Sequence, residues 1–167
     1  AIIQKAVDTR LTFEDIYNFI KEHEGYRPHV YMDTVGKPTV GIGVNLKRPD
    51  APSLLSAVGA NYADVLSGKT NLTDQQIKDL FKMTIDIAYK DAKKYIPSYD
   101  ALPKNIKLAI LDLSFNLGYP GLSKFVKLKN AIEAKQYKIA ADEVKNSKWA
   151  TQVGRRLQSI VNLFLTA

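Results

Sequence analysis

The stretch "TFEDIYNFIKEHEGYRPHVYMDTVGKPTVGIG", residues 12 to 43, changes its hydrophobic rhythm halfway along. Phe13, Ile16, Tyr17 and Ile20 keep the spacing of one helix face, and the pattern breaks after Gly25. Thr12, followed three residues later by Asp15, reads as a capping box, in which hydroxyl and carboxylate each satisfy a free backbone N–H. A helix is therefore expected to begin near Phe13, and Gly25 can end it. Val30 to Met32 and Thr39 to Ile42 then read as short strands joined through Asp33-Thr34-Val35-Gly36, with Pro38 unable to donate to a ladder. The expectation is a helix leading into a small antiparallel sheet.

Working outward, Thr73 and Gln76 make a second capping box, and Ile77, Leu80, Phe81, Thr84 and Ala88 hold helical spacing behind it. That helix is expected to reach about Tyr95 before Pro97 stops it. At roughly 20 residues it would span about 30 Å, enough to join two lobes. Further helices are expected over 104–117, 123–134, 137–145 and 151–165, with Gly118, Pro120 and Gly121 marking a turn. Residues 47 to 71, which hold Pro49, Pro52, Gly59 and Gly68, read as irregular or short-helical. The fold class is α+β: one domain over 1–167, with an α+β lobe at about 12–72, a linking helix at 73–96 and a helical lobe at 97–167.

A chain of 167 residues that is 46% hydrophobic can build one substantial core or two small lobes. No stretch approaches the roughly 18 apolar residues of a membrane span, so no stable membrane insertion is expected. The opening residues lack the apolar core of a secretory signal. The absence of cysteine removes disulfides, thiolate metal sites and a cysteine nucleophile. His23 and His29 are not spaced as a zinc pair and no third histidine exists, so no metal or other cofactor is expected. No G-x-S-x-G elbow accompanies a serine triad, and the GVGIGV run lacks the spacing of a phosphate-binding loop. The net charge of +7 is uneven: residues 1–103 hold 13 basic and 13 acidic side chains, and residues 104–167 hold 11 and 4. Such a field suits anionic polymers, including those of a bacterial wall, although a solvated lysine-rich surface explains it equally.

The carboxylates remain. From Phe13, Glu24 lies eleven residues on, which returns it to within about 20° of the apolar stripe. Burying a carboxylate disfavours its charged form, and a carboxyl that keeps its proton can donate it to a leaving group. The plainer reading is a glutamate at a helix end reaching water. Asp33 alone is an ordinary turn aspartate, and Thr39 an ordinary strand former. Two carboxyls in different environments are nevertheless the equipment of glycoside hydrolysis. Gly41 and Gly43 weaken a strand and suggest close approach of a backbone or ligand, or a bulge.

The stretch resembles the phage-type, T4-lysozyme-like lysozymes of glycoside hydrolase family 24, whose signature is Glu, eight residues, Asp or Cys, five residues, Thr. Glu24, Asp33 and Thr39 match it in full, within E-G, Y-x-D and T-x-G-x-G elements. "SFNLGYPGLSKF", residues 114–125, and "SKWATQVGRRLQ", residues 147–158, extend the resemblance into the C-terminal part. It implies a lysozyme-like fold and a muramidase hydrolysing the β-1,4 bond from N-acetylmuramic acid to N-acetylglucosamine. By position it implies Glu24 as general acid, Asp33 as the base or water-positioning carboxylate, and Thr39 as its helper. Asn116, Gly41 and Gln152 are implied at the substrate, and Arg156 beside the acid, with Arg155 its competitor. Asn116 has a capping or turn role as rival, and Trp149 is expected in the core. Val44 and Asn45 depart from the aromatic or histidine that many members carry after G-I-G.

Two other readings compete: a lytic transglycosylase giving anhydro products with little need of Asp33, and a non-catalytic basic wall-binding or nucleic-acid-binding module. No nucleic-acid-binding signature is present, so nucleic acid is not an expected partner, and the resemblance implies bacterial peptidoglycan. The expected setting is the host cytoplasm before lysis and then the wall, or a virion, with the protein a monomer.

Overall fold

The computed structural model describes residues 10–167. Helix α1 spans Phe13–Glu24 and opens with the expected box: Asp15 N–H donates to Thr12 Oγ1 and Thr12 N–H to Asp15 Oδ2, both at 3.1 Å. Three antiparallel strands follow, β1 Arg27–Met32, β2 Pro38–Gly41 and β3 Val44–Asn45, in the order β1-β2-β3. The first strand begins earlier than the expected Val30 because Arg27 pairs with Gly41 across an irregularity before Tyr31 pairs with Thr39. Of the two readings of residues 47–71, the short-helical one holds: helices α2 (Ala51–Ala57) and α3 (Tyr62–Ser67) form there. Asn61 caps α3 by accepting from Asp64 N–H, and Gly68 ends it at φ 81°.

Helix α4 (Asp74–Tyr95) starts at the second capping box, with Thr73 N–H on Gln76 Oε1 at 2.9 Å and Gln76 N–H on Thr73 Oγ1 at 3.1 Å. After a 3-10 turn at Tyr99–Ala101 come α5 (Lys104–Leu122), α6 (Val126–Glu133), α7 (Tyr137–Lys145), α8 (Ala150–Val153) and α9 (Arg155–Leu165). Helix α5 is broken at Gly118 (φ 67°, ψ 173°), inside the expected turn. The single helix expected over 151–165 is two: Gly154 takes φ 50° and ψ −119°, which no helix continues. No helix among the described residues is long and apolar enough to cross a membrane.

The chain divides into two compact units. One, Tyr17–Asp86, holds the end of α1, the sheet, α2, α3 and the first part of α4. Its core gathers Ile20, Val40, Ile42, Leu46, Leu55, Ile77, Leu80 and Phe81, each almost fully buried. Leu72 N–H donates to Pro28 O at 2.9 Å, and Tyr62 hydroxyl to Leu46 O at 2.6 Å, tying sheet and connections together. The other unit takes residues 87–167 with the described residues up to Ile16. There α7 packs against α6 and α9, and α9 against α5, around Ile106, Ile110, Leu111, Leu128, Ile132, Val144, Ile160 and Phe164. Trp149 joins this core, as expected.

Candidate active site

Glu24 is the last residue of α1 and is half-buried, so it is neither sealed in the core nor fully in water. The chain turns at once: Gly25 sits at φ 82° and its N–H donates to Lys21 O at 2.8 Å. The glutamate side chain then lies along Gly43, where an ideal Cβ would stand 3.0 Å from Glu24 Cβ and 2.8 Å from Cδ. At Gly41, implied at the substrate, an ideal Cβ would stand 3.7 Å from the side chain of Ile77 and 3.8 Å from that of Leu72. Both glycines have positive φ, 66° at Gly41 and 67° at Gly43.

Asp33 follows β1 directly and organises the turn. Its Oδ1 accepts from Lys37 N–H at 2.8 Å and Val35 N–H at 3.0 Å, the short-range bonding that suits aspartate to turns. Its own N–H donates to Lys37 O at 2.9 Å. That same carbonyl accepts the Thr39 hydroxyl at 3.0 Å. One peptide segment, at Lys37, therefore holds the aspartate carboxyl, the aspartate backbone and the threonine side chain. Asp33 Oδ2 takes no hydrogen bond among the described residues, and Thr39, 5% exposed, keeps its lone pairs as acceptors because its proton is committed.

Tyr31 relates the two carboxyls. Burial raises its phenol above the ordinary value, the charge of Glu24 adds to the rise, nearby Arg27 opposes it, and Asp33 adds a smaller increment. Both carboxyls thus lie within electrostatic reach of one side chain, whose ring carries the Arg27 guanidinium at 4.8 Å. The strand pairing of Tyr31 with Thr39 brings the third residue to the same place. Glu24, Asp33 and Thr39 all belong to the Tyr17–Asp86 unit.

Val44 is buried as a core strand residue paired with Val40, and Asn45 accepts Lys47 N–H at 2.8 Å. Both serve the sheet and its exit.

The C-terminal candidates lie in the other unit. Asn116 is exposed, and its Oδ1 accepts Trp149 Nε1–H at 2.8 Å. The side chain of Gln152 lies outside the described residues. Arg155 is exposed and Arg156 buried, so Arg156 is the inward member of the pair. Its Nε donates to Asp112 Oδ2 at 2.9 Å and its Nη2 to Asp112 Oδ1 at 2.7 Å, a bidentate buried pair. Sequence reasoning overlooked Asp112. The signal was there: a lone aspartate within the apolar run Leu108–Ser114, and a lone arginine four residues before Ile160 on the buried stripe of α9.

Against known proteins, the probable T4-type lysozyme 2 of Dictyostelium discoideum is 29% identical over 157 residues, covering 89% of this chain and 92% of that protein. The pre-baseplate central spike protein Gp5 of Enterobacteria phage T4 is 25% identical over 88% of this chain, which matches 27% of the spike protein. The peptidoglycan hydrolase gp36 of Enterobacteria phage SP6 is 23% identical over 74% of this chain and 14% of its own length. A family model described as phage lysozyme matches residues 21–163, most of both compact units, and the chain belongs to the phage lysozyme family as a glycoside hydrolase of the lysozyme type.

Proposed function

We propose that the protein cleaves bacterial peptidoglycan by hydrolysing the β-1,4 bond between N-acetylmuramic acid and N-acetylglucosamine. Glu24 gives its proton to the glycosidic oxygen as that bond breaks. Asp33 takes a proton from a water whose oxygen adds to the sugar carbon on the opposite face, and Thr39 accepts that water's second hydrogen bond. Configuration is inverted, an outcome that asks for carboxyls roughly 6.5–9.5 Å apart.

The observation that carries this reading is the Lys37 node. With Oδ1 held by two N–H groups, Asp33 cannot swing, and Oδ2 is the atom left to take a proton. With its own proton on the Lys37 carbonyl, Thr39 can only accept, which is what a water needs from it. A fixed acceptor pair orients a nucleophile before reaction, and such orientation contributes a large part of a hydrolytic rate. Arg156 as the partner of the acid, and Asn116 and Gln152 at the sugar, rest on the family resemblance. Peptidoglycan as substrate is supported by the family and by the name of the SP6 relative. Action at the host wall, at lysis or from a virion, accords with the T4 relative being a spike protein.

The test is mass spectrometry of muropeptides released from purified peptidoglycan. Hydrolysis predicts reducing N-acetylmuramic acid ends, with one water added per cut. Glu24→Gln, which keeps the shape and removes the acid, should lower turnover by at least about 10²-fold with the fold intact. Anhydro products, or a Glu24→Gln variant of near wild-type rate, would overturn the assignment.

A further inference from the structure

We propose that Gly43 is a positioning residue for the acid: the absence of a side chain at this position sets where the Glu24 carboxyl rests. The inference builds on the reading of Glu24 given above and adds a residue that acts only through it.

Three observations carry it. The Glu24 side chain lies along Gly43 over its length, since Cβ, Cδ and Oε2 are the three nearest atoms to the site of a Gly43 side chain, two of them at 3.0 and 2.8 Å and Oε2 closer still. Real Cβ atoms essentially never approach other atoms within 3.0 Å, so a methyl here would displace the carboxyl end. The two residues come from different elements, the end of α1 and the turn between β2 and β3, so no local chain geometry explains the contact. The neighbouring glycine of the same motif, Gly41, points at Leu72 and Ile77, which separates a packing glycine from the one that meets the acid.

A glutamate has three rotatable bonds, and a half-buried one at a helix end would ordinarily sample several rotamers. Close contact with backbone on one side leaves a groove in which the side chain lies flat. A shift of about 1 Å in a catalytic group can cost on the order of 10²-fold in rate, so the groove acts on turnover rather than on substrate binding.

Gly43→Ala tests this, with Gly59→Ala as control. Gly59 has a similar φ of 77° and nothing within 4 Å of its Cβ direction, so it carries the backbone strain without the contact. Gly43→Ala should lower kcat on the order of 10²-fold with KM changed little, and Gly59→Ala should leave both near wild type. Glu24→Asp, which withdraws the carboxyl by one methylene, supplies the second arm. If the two residues act through one contact, the Gly43→Ala/Glu24→Asp double variant is little worse than Glu24→Asp alone.

A kcat within threefold of wild type for folded Gly43→Ala, or full multiplication of the two losses, overturns the proposal. Should Gly43→Ala melt below the assay temperature, thermal unfolding decides: it should lower Tm far less when Glu24 is Ala, and equal losses overturn the proposal. That comparison does not require Glu24 to be the acid, whereas an active Glu24→Gln variant would refute the acid assignment alone.

Discussion

Asp112→Leu should be strongly destabilising. Asp112 is 0% exposed and Arg156 7%, and the two are joined by bonds of 2.9 and 2.7 Å. Removing the carboxylate leaves a guanidinium in a buried place without that partner, and breaking such pairs typically costs about 3–5 kcal/mol. For a chain of this length, each kcal/mol moves Tm by about 2–4 °C, so the expected fall is about 6–20 °C. The second half of the prediction is Asp112→Leu/Arg156→Met, in which neither charge remains. Apolar replacement of a whole buried pair is often neutral or stabilising, so the double variant should return to within about 1 kcal/mol of wild type. Urea unfolding followed by far-UV circular dichroism, with calorimetry, measures both. A cost below about 1 kcal/mol for Asp112→Leu, or a double variant that loses the sum of the singles, would refute the reasoning.

Lys135 stands in the α6–α7 connection at φ 58°, the only non-glycine residue with positive φ among those described. Lys135→Gly should relieve about 1–2 kcal/mol of left-handed strain against about 0.5–1 kcal/mol of added chain entropy, and so raise Tm by a few degrees; an unchanged or lower Tm counts against it. Asp15 is held below the ordinary carboxylate value, first by the Thr12 N–H bond and then by Lys104, whose Nζ is 3.1 Å away. A lowered folded-state value means stability present above the unfolded value near pH 4 and lost as pH falls through the folded one. The stability gap between wild type and Asp15→Asn should therefore be full at pH 6 and shrink by pH 2.5 in urea titrations; a constant gap would show that the charge is irrelevant.

What the sequence revealed about the fold follows the range of the interactions. Both capping boxes were legible because each uses residues three apart, and α1 and α4 begin where they predict. The helix break at Gly154 was not legible, since the apolar spacing on either side of it suits a single helix and only the packed chain requires φ 50° there. Similarly, Glu24, Asp33 and Thr39 could be singled out as candidates by the family signature they match, but the different surroundings of Gly41 and Gly43 could not. Both have positive φ and stand two residues apart, and which one meets Glu24 depends on the placement of α1 and α4. The choice of Arg156 by Asp112 is likewise a tertiary fact, 44 residues apart in sequence, that an apolar stripe hints at without naming the partner.

The Lys37 node has a consequence for how this site can vary. Lys37 is exposed, and the bonds to Asp33 and Thr39 come from its N–H and C=O alone. Pro38 after it favours the extended backbone and donates nothing itself. Any residue with an N–H therefore meets the requirement at position 37, and proline does not. The position is open to change in charge and size while the geometry of the hairpin stays fixed. A library at position 37 should show this as nineteen tolerated side chains and one forbidden ring.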